Sequence, residues 1–393
     1  MNPGPDRRRV VWLSLAQLVT WGSVFYTFAL LLEPVERELG LTRAQSSLAF
    51  SLALLAEGLC AYPVGRWIDR GHERAVMTGG SLLVAAALAF HAQVRSVEAF
   101  YATWLVLGAA LAATLYSPVF AVVTRRHPQD FRRAIITLTF LGGLASSVFI
   151  PLSAWLIATW GWRTALLVLA AIHLLVCVPI HAACLRHAPP PTPAAAPGPQ
   201  SSGALLRSAP FLLIGVFVVG MMAITAAIPP HLISLLREAG LREAWVIAIP
   251  ATIGVVQVVG RALLYFFEHR FDLHVANRVI PFLLPLALAA LITGAHSPAA
   301  GILFVALYGI GNGMLTIVKG TAVAQYVSRE HVASLNGALG LPQAVARAVA
   351  PALLGVLWTQ DAGYRWGLGV LLVVGVLSAL ALALAQRRSL LPR

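Results

Sequence analysis

Arg37 to Ala44 reads RELGLTRA, and Arg237 to Ala244 reads REAGLREA. Five of the eight positions match at an offset of 200. The same offset pairs Arg70 with Arg270 and Pro151 with Pro351, and Gly161-Trp162-Arg163 returns as Gly363-Tyr364-Arg365 at an offset of 202. A spacing kept across half a chain marks an internal repeat. The matched segments are short polar interruptions between long apolar runs, so the repeating object is an arrangement of those runs.

A helix needs about 20 apolar residues to cross a bilayer. Twelve runs qualify, near 10–32, 46–66, 74–94, 99–123, 133–158 and 163–185, then 210–236, 244–267, 277–295, 299–325, 334–358 and 366–385. The two-residue alternation of a transmembrane barrel is absent. The sequence therefore predicts an all-α membrane protein with 12 transmembrane helices. Six per half is an even number, so both halves enter the membrane in the same direction, as a parallel repeat about an axis along the membrane normal.

Composition agrees. Hydrophobic residues make up 59% and charged residues 11%, with mean hydropathy +0.81, whereas a soluble domain carries about 25% charged residues. Such a surface needs lipid as its solvent. The net charge of +13 does not point to nucleic acid, because the basic residues are dispersed over short loops, where membrane topology places them. The first run follows Arg7-Arg8-Arg9 and is too long for a signal-peptide core, so it reads as the first span. The three cysteines all lie in apolar runs, which argues against a disulfide framework.

Between the halves, 189–203 reads PPPTPAAAPGPQSSG. Proline removes amide donors and disfavours the α region before it, so this stretch predicts a flexible linker rather than a packed helix. The expected domains are 1–186, a linker at 187–209, and 210–393. With the N-terminus inside, eighteen arginines fall on the cytoplasmic side and seven outside, which puts both termini and the linker in the cytoplasm. The expected location is the plasma (inner) membrane, multi-pass, as a monomer.

Two parallel six-helix halves with a cytoplasmic linker resemble the major facilitator superfamily over the whole chain. The most specific local likeness is the loop after the second helix, Gly65-Arg66-Trp67-Ile68-Asp69-Arg70-Gly71-His72-Glu73-Arg74. It resembles the family's G-x-x-x-D-R-x-G-R-[RK] motif. The G-x-x-x-D-R core is intact, the next glycine comes one residue early at Gly71, and Glu73 stands where the motif has a basic residue. Gly65 is expected to allow close helix approach, and Asp69, beside Arg70, to cap or pair at a neighbouring helix end and hold the cytoplasmic gate shut. The alternative is an ordinary charged turn. The second-half copy is degraded: Tyr265 and His269 replace the glycine and aspartate, and Arg270 survives. The resemblance implies two six-helix bundles around a central cavity lined by helices 1, 4, 7 and 10.

Within the superfamily the chain is similar to the monocarboxylate and oxalate–formate transporters. Those carry an arginine in helix 8, here Gly260-Arg261, and the oxalate–formate exchangers carry a cation in helix 11, here Arg347. Gln257 stands where human monocarboxylate carriers place an aspartate, one turn before the helix-8 arginine.

Charged groups inside a membrane cost about 2.5–3.5 kcal/mol each on insertion scales and usually face a cavity. Four stand out away from the ends of the runs: Glu57, Arg261, Lys319 and Arg347. Arg347 lies near mid-membrane, where a guanidinium suits a carboxylate in bidentate fashion; it could instead pair with Glu57. Glu57 lies at similar depth, and its repeat mate is Gln257. Unpaired, Glu57 could carry a proton. Arg261 is close enough to its helix end to snorkel. Lys319, the sole lysine, shares a helix face with Tyr308, Asn312 and Thr316, and it too is near a headgroup boundary. Helix 1 offers Gln17, Thr20, Trp21 and Tyr26, and helix 4 offers Tyr116, as packing groups or ligand contacts. His173, Cys177, His181 and Cys184 form a stripe on helix 6, but they climb about 6 Å per four-residue step at 1.5 Å per residue and do not converge on one metal.

No P-loop, G-x-S-x-G or H-E-x-x-H is present. The expected protein is therefore not an enzyme, uses no cofactor or metal, and draws on a solute or ion gradient, with a proton as the coupling candidate. The leading expectation is alternating-access transport of a small organic anion such as a mono- or dicarboxylate. Efflux of toxic or drug-like compounds or a metalloid is the alternative; a non-transporting receptor is disfavoured because no folded soluble output domain is visible.

Overall fold

The computed structural model describes residues 5–126, 131–186, 202–267, 273–294, 296–328 and 332–390. Among these residues the regular structure is helical, apart from one isolated bridge between Thr359 and Gly363. Eleven continuous apolar segments are long enough to span a bilayer. One of them, Thr137–Cys184, has 48 residues, about 72 Å at 1.5 Å per residue, against a hydrocarbon core of about 30 Å. Gly161 divides it: its φ of +78° and ψ of +160° leave the helical region altogether. The segment is two crossings folded at one glycine, which makes twelve spans among the described residues.

We label them α1 (Arg8–Leu39), α2 (Arg43–Trp67), α3 (Arg70–His91), α4 (Val97–Val123), α5 (137–160), α6 (162–184), α7 (Ala209–Glu238), α8 (Glu243–Leu263), α9 (His274–Gly294), α10 (Pro298–Val323), α11 (Ala338–Val356) and α12 (Arg365–Arg387). The expected linker falls mostly at 187–201, outside the described residues; its last part carries a short helix, Ser202–Leu206, where only irregular chain was expected.

The chain forms two compact units, Met1–Ala195 and Ala196–Arg393. Inside the first, α2 packs on α4, α1 on α5 and α6, and α3 on α4 and α6; inside the second, α8 packs on α10, α7 on α11 and α12, and α9 on α10 and α12. The same neighbours recur at an offset of six helices. The backbone repeats as well. α1 and α7 both end at a glycine in the left-handed region, Gly40 at φ +66° and Gly240 at φ +80°, which releases the chain into a short turn before the next helix. The acid two residues before each glycine is also used twice. Glu38 accepts from Trp162 Nε1 at 2.9 Å and from Arg163, and Glu238 accepts from Trp358 Nε1 at 2.9 Å. The second tryptophan comes from a position the 202-residue offset does not select, so the contact is kept while its source moved.

Three helices depart from simple rods. α1 widens into a π-turn at Trp21–Tyr26. The fourth run, expected to be continuous, breaks between Val97–Ala112 and Tyr116–Arg126. α7 carries Pro229 and Pro230 inside its helix, which removes backbone donors within a spanning segment.

Candidate functional site

Helices α8 and α10 meet backbone to backbone. A Cβ on Gly260 would lie 2.7 Å from the Ile310 carbonyl oxygen, and one on Gly313 would collide with the Gln257 backbone. Small residues permit this approach where lipid supplies no hydrophobic drive between helices. The contact sets Gln257 and Arg261 of α8 alongside the 308–316 stretch of α10. Gln257 is buried and Arg261 half-buried.

The α10 stripe divides. Tyr308 is 1% exposed; its hydroxyl donates to the Thr225 carbonyl of α7 at 3.5 Å, and its ring stacks on Phe304 at 5.1 Å. It is held within the helix packing. Asn312 and Lys319 are half-buried and Thr316 is exposed. The Thr316 hydroxyl donates to the Asn312 carbonyl at 3.1 Å, the habit of a helical threonine that has no better acceptor. Arg347 of α11 is half-buried. The second unit thus holds Gln257 and Arg261 beside α10, which carries Lys319, while Arg347 stands on α11.

In the first unit, Gln17 is fully buried and donates from Nε2 to the Thr114 carbonyl at 2.6 Å. Thr114 sits in the break of α4, so this side chain satisfies a carbonyl that the broken helix releases. Trp21 of the π-turn lies against Tyr116, ring centroids 5.1 Å apart, and Tyr116 stacks on Phe120. Glu57 is half-buried on α2. The α6 stripe is a packing face: His181 Nδ1 lies 2.8 Å from Ser81 Oγ on α3, and Cys177 Sγ is 3.8 Å from the Ala16 carbonyl of α1. No group of three His, Cys, Asp or Glu that could hold a metal occurs among the described residues.

The motif loop is a π-turn over Ile68–His72 with Gly71 at φ +88°. The Asp69 side chain lies outside the described residues. Arg70 is exposed and Gly65 half-buried. A Cβ on Gly65 would meet no atom within 4 Å, so close helix approach, the reason expected for that glycine, is not what it provides here. Glu73, expected only as a departure from the motif, is the anchor. It is fully buried at the start of α3 and forms an ion pair with Arg126 beyond α4, whose side chain is 4% exposed. Arg126 also donates to the Arg186 carbonyl at 3.2 Å, and Arg74 to the Ala182 carbonyl at 2.8 Å. The ends of α3, α4 and α6 are tied together.

His231 was also missed. It is fully buried on α7, one residue after the Pro229–Pro230 pair. Its Nε2 lies 3.0 Å from the Pro351 carbonyl and its Nδ1 3.0 Å from the Tyr364 hydroxyl. A carbonyl only accepts, so Nε2 carries the hydrogen and Nδ1 of the neutral ring accepts from Tyr364. The available signal was a histidine beside two prolines, a place where backbone groups lack partners.

The chain is 29% identical over 305 residues to monocarboxylate transporter 13 of Bos taurus, covering 71% of this chain and 68% of that protein. The fold matches a bacterial homologue of the human lysosomal transporter Spinster with a TM-score of 0.77 at 16% identity, covering 99% of this chain and 98% of that one. It matches the nucleoside transporter NupG with a TM-score of 0.71 at 19% identity, covering 98% and 99%. Residues 13–280 match the model of the Major Facilitator Superfamily. That match takes in more than half of the sequence, and with the twelve spans and the repeated six-helix packing it establishes that the chain belongs to the major facilitator superfamily, a family of secondary transporters and not of enzymes.

Proposed function

We propose that this transporter carries a small organic anion, a mono- or dicarboxylate, by alternating access. The observation that carries the reading is that Arg261 of α8 and Lys319 of α10 lie inside membrane-spanning helices joined backbone to backbone at Gly260 and Gly313, with a third cation, Arg347, inside α11. Cations at such positions are costly and usually face a cavity, and an anionic solute is the cargo that suits them. Arg261 adds positive potential, Asn312 and Thr316 offer polar contacts, and Tyr308 supports α10 from behind. The name of the Bos taurus relative, a monocarboxylate transporter, agrees in substrate class.

In this reading Arg347 holds the anion and Glu57, a carboxylate inside the first unit, is the group that can take a proton. Binding of the carboxylate shifts the population between transport states. Gln257 keeps the corresponding level of the second half polar, and Gly65, Asp69 and Arg70 form the cytoplasmic gate. The domains are 1–186 and 210–393 with a cytoplasmic linker at 187–209, both termini inside, in the plasma membrane of a monomer. Uptake of labelled carboxylates into proteoliposomes, wild type against Arg347→Ala, tests the substrate class. Loss of saturable carboxylate uptake in the variant is expected. Uptake at the wild-type rate and affinity rejects the anion reading in favour of efflux of toxic or drug-like compounds or a metalloid.

A further inference from the structure

The first unit contains a trough that shares Arg70 alone with the transport reading. It is a cavity of about 660 Å³ between α2, α3 and α4, within the roughly 300–1,000 Å³ that small-ligand sites occupy. Its floor is made of small residues, Gly80, Ala110 and Ala113. A Cβ on Gly80 would lie 2.7 Å from that of Ala113, so α3 and α4 close tightly there, whereas a Cβ on neighbouring Gly79 would meet nothing within 4 Å. The space above the floor is therefore left open by the sequence. Its rim is apolar and outward-facing, with Trp67 53% and Leu83 41% exposed. At one end alone the character changes, where exposed Arg70 and His72 line it.

An apolar trough along membrane-crossing helices with a basic mouth is complementary to an amphiphile that has a hydrocarbon tail and an anionic head. Tryptophan concentrates at the headgroup level of membranes, and Trp67 puts the mouth at that level. Arginine offers a planar fork to a phosphate diester, and basic pockets between spanning helices are a recurrent lipid headgroup site. We propose that the trough binds one phospholipid with an anionic head, its acyl chain over Gly79 and Gly80 and its phosphate at Arg70 and His72. A bound lipid would bridge the ends of α2 and α3 across the motif loop. The inference is independent of which solute is carried.

The test is lipid retention by the purified full-length chain, read by native mass spectrometry with phosphatidylglycerol and phosphatidylcholine of identical acyl chains. The wild type should retain phosphatidylglycerol in preference, by about five-fold for the Arg70 charge. Arg70→Gln with His72→Gln should remove the preference and leave phosphatidylcholine retention unchanged. Gly79→Leu, whose Cβ would meet nothing within 4 Å and whose side chain takes up trough volume, should lower retention of both. Equal retention of the two lipids by the wild type, a preference that survives the double change, or full retention by Gly79→Leu each overturns the proposal. So does displacement of the lipid by equimolar inorganic phosphate, which would make this a free-anion site. A readout needing no variant is a phosphatidylglycerol with a photoreactive group in its acyl chain. It should label the peptides holding 75–83 and 109–113 in the wild-type protein, and labelling confined to other helices refutes the site.

Discussion

Glu73 and Arg126 form an ion pair with both side chains out of contact with solvent, joining the start of α3 to the chain beyond α4. Removing one partner of a buried pair strands the other charge and costs about 3–5 kcal/mol, whereas replacing both by apolar groups of similar size is often neutral. Glu73→Ala should therefore lower the melting temperature of the detergent-purified protein strongly, and Glu73→Leu with Arg126→Leu should recover most of that loss. A Glu73→Ala protein that melts like the wild type would mean the pair contributes nothing.

Gly161 holds a conformation that is essentially reserved for glycine, at φ +78° and ψ +160°. No atom lies within 4 Å of where its Cβ would be, so a substitution is penalised by backbone strain and not by a clash. Gly161→Ala should cost about 1–3 kcal/mol, with Gly65→Ala, which has the same free space and no such dihedral, close to neutral. Equal melting temperatures for the two variants would show that the fold at 161 tolerates a side chain.

The substrate reading makes an ordered prediction at Arg347. Lysine keeps the charge but loses the planar fork, so Arg347→Lys should weaken carboxylate affinity about 10–100-fold, the range of one lost charge-assisted hydrogen bond of about 1.5–3 kcal/mol. Arg347→Ala should be worse, because it removes the charge as well as the fork. Concentration-dependent uptake by each variant checks the order, and an alanine variant better than the lysine variant breaks it.

Topology can be tested independently. A single cysteine introduced at Gln200 should react with a membrane-impermeant maleimide only after the membrane is opened. Reaction in intact cells would invert the assignment based on arginine distribution.

Much of the architecture can be read from particular residues. Gly40 and Gly240 correspond in the sequence repeat, and both are left-handed helix ends. The twelve runs are visible because a span is defined by length and hydropathy, quantities a sequence states directly. Gly161-Trp162-Arg163 marked the gap between the fifth and sixth runs, though there the helices fold on a single residue and leave no loop. The break in α4 was hidden, since Ala113 to Leu115 continues the apolar run without a change in composition, and the Gln17 that supports it lies 97 residues away. Glu73 was misread for the same reason: its partner is 53 residues distant, and a motif comparison sees a wrong letter rather than a missing charge. Among the proposed site residues, spacing put Tyr308 on the same face as Asn312, but helix periodicity does not say which edge of that face a neighbouring helix covers, and α7 covers Tyr308.

The backbone contact between α8 and α10 has a further consequence. With Gly260 and Gly313 at the junction, no layer of side chains separates the two helices that could be trimmed or slid. They make one stiff plate, and the polar groups on it keep a fixed spacing. Redesign toward a bulkier cargo would gain nothing from enlarging the seam, because any added carbon there pries two main chains apart. The adjustable parts are α11, which carries Arg347, and the side chains projecting off the plate, and a directed-evolution library built on those positions samples new sizes without dismantling the ruler against which they are measured.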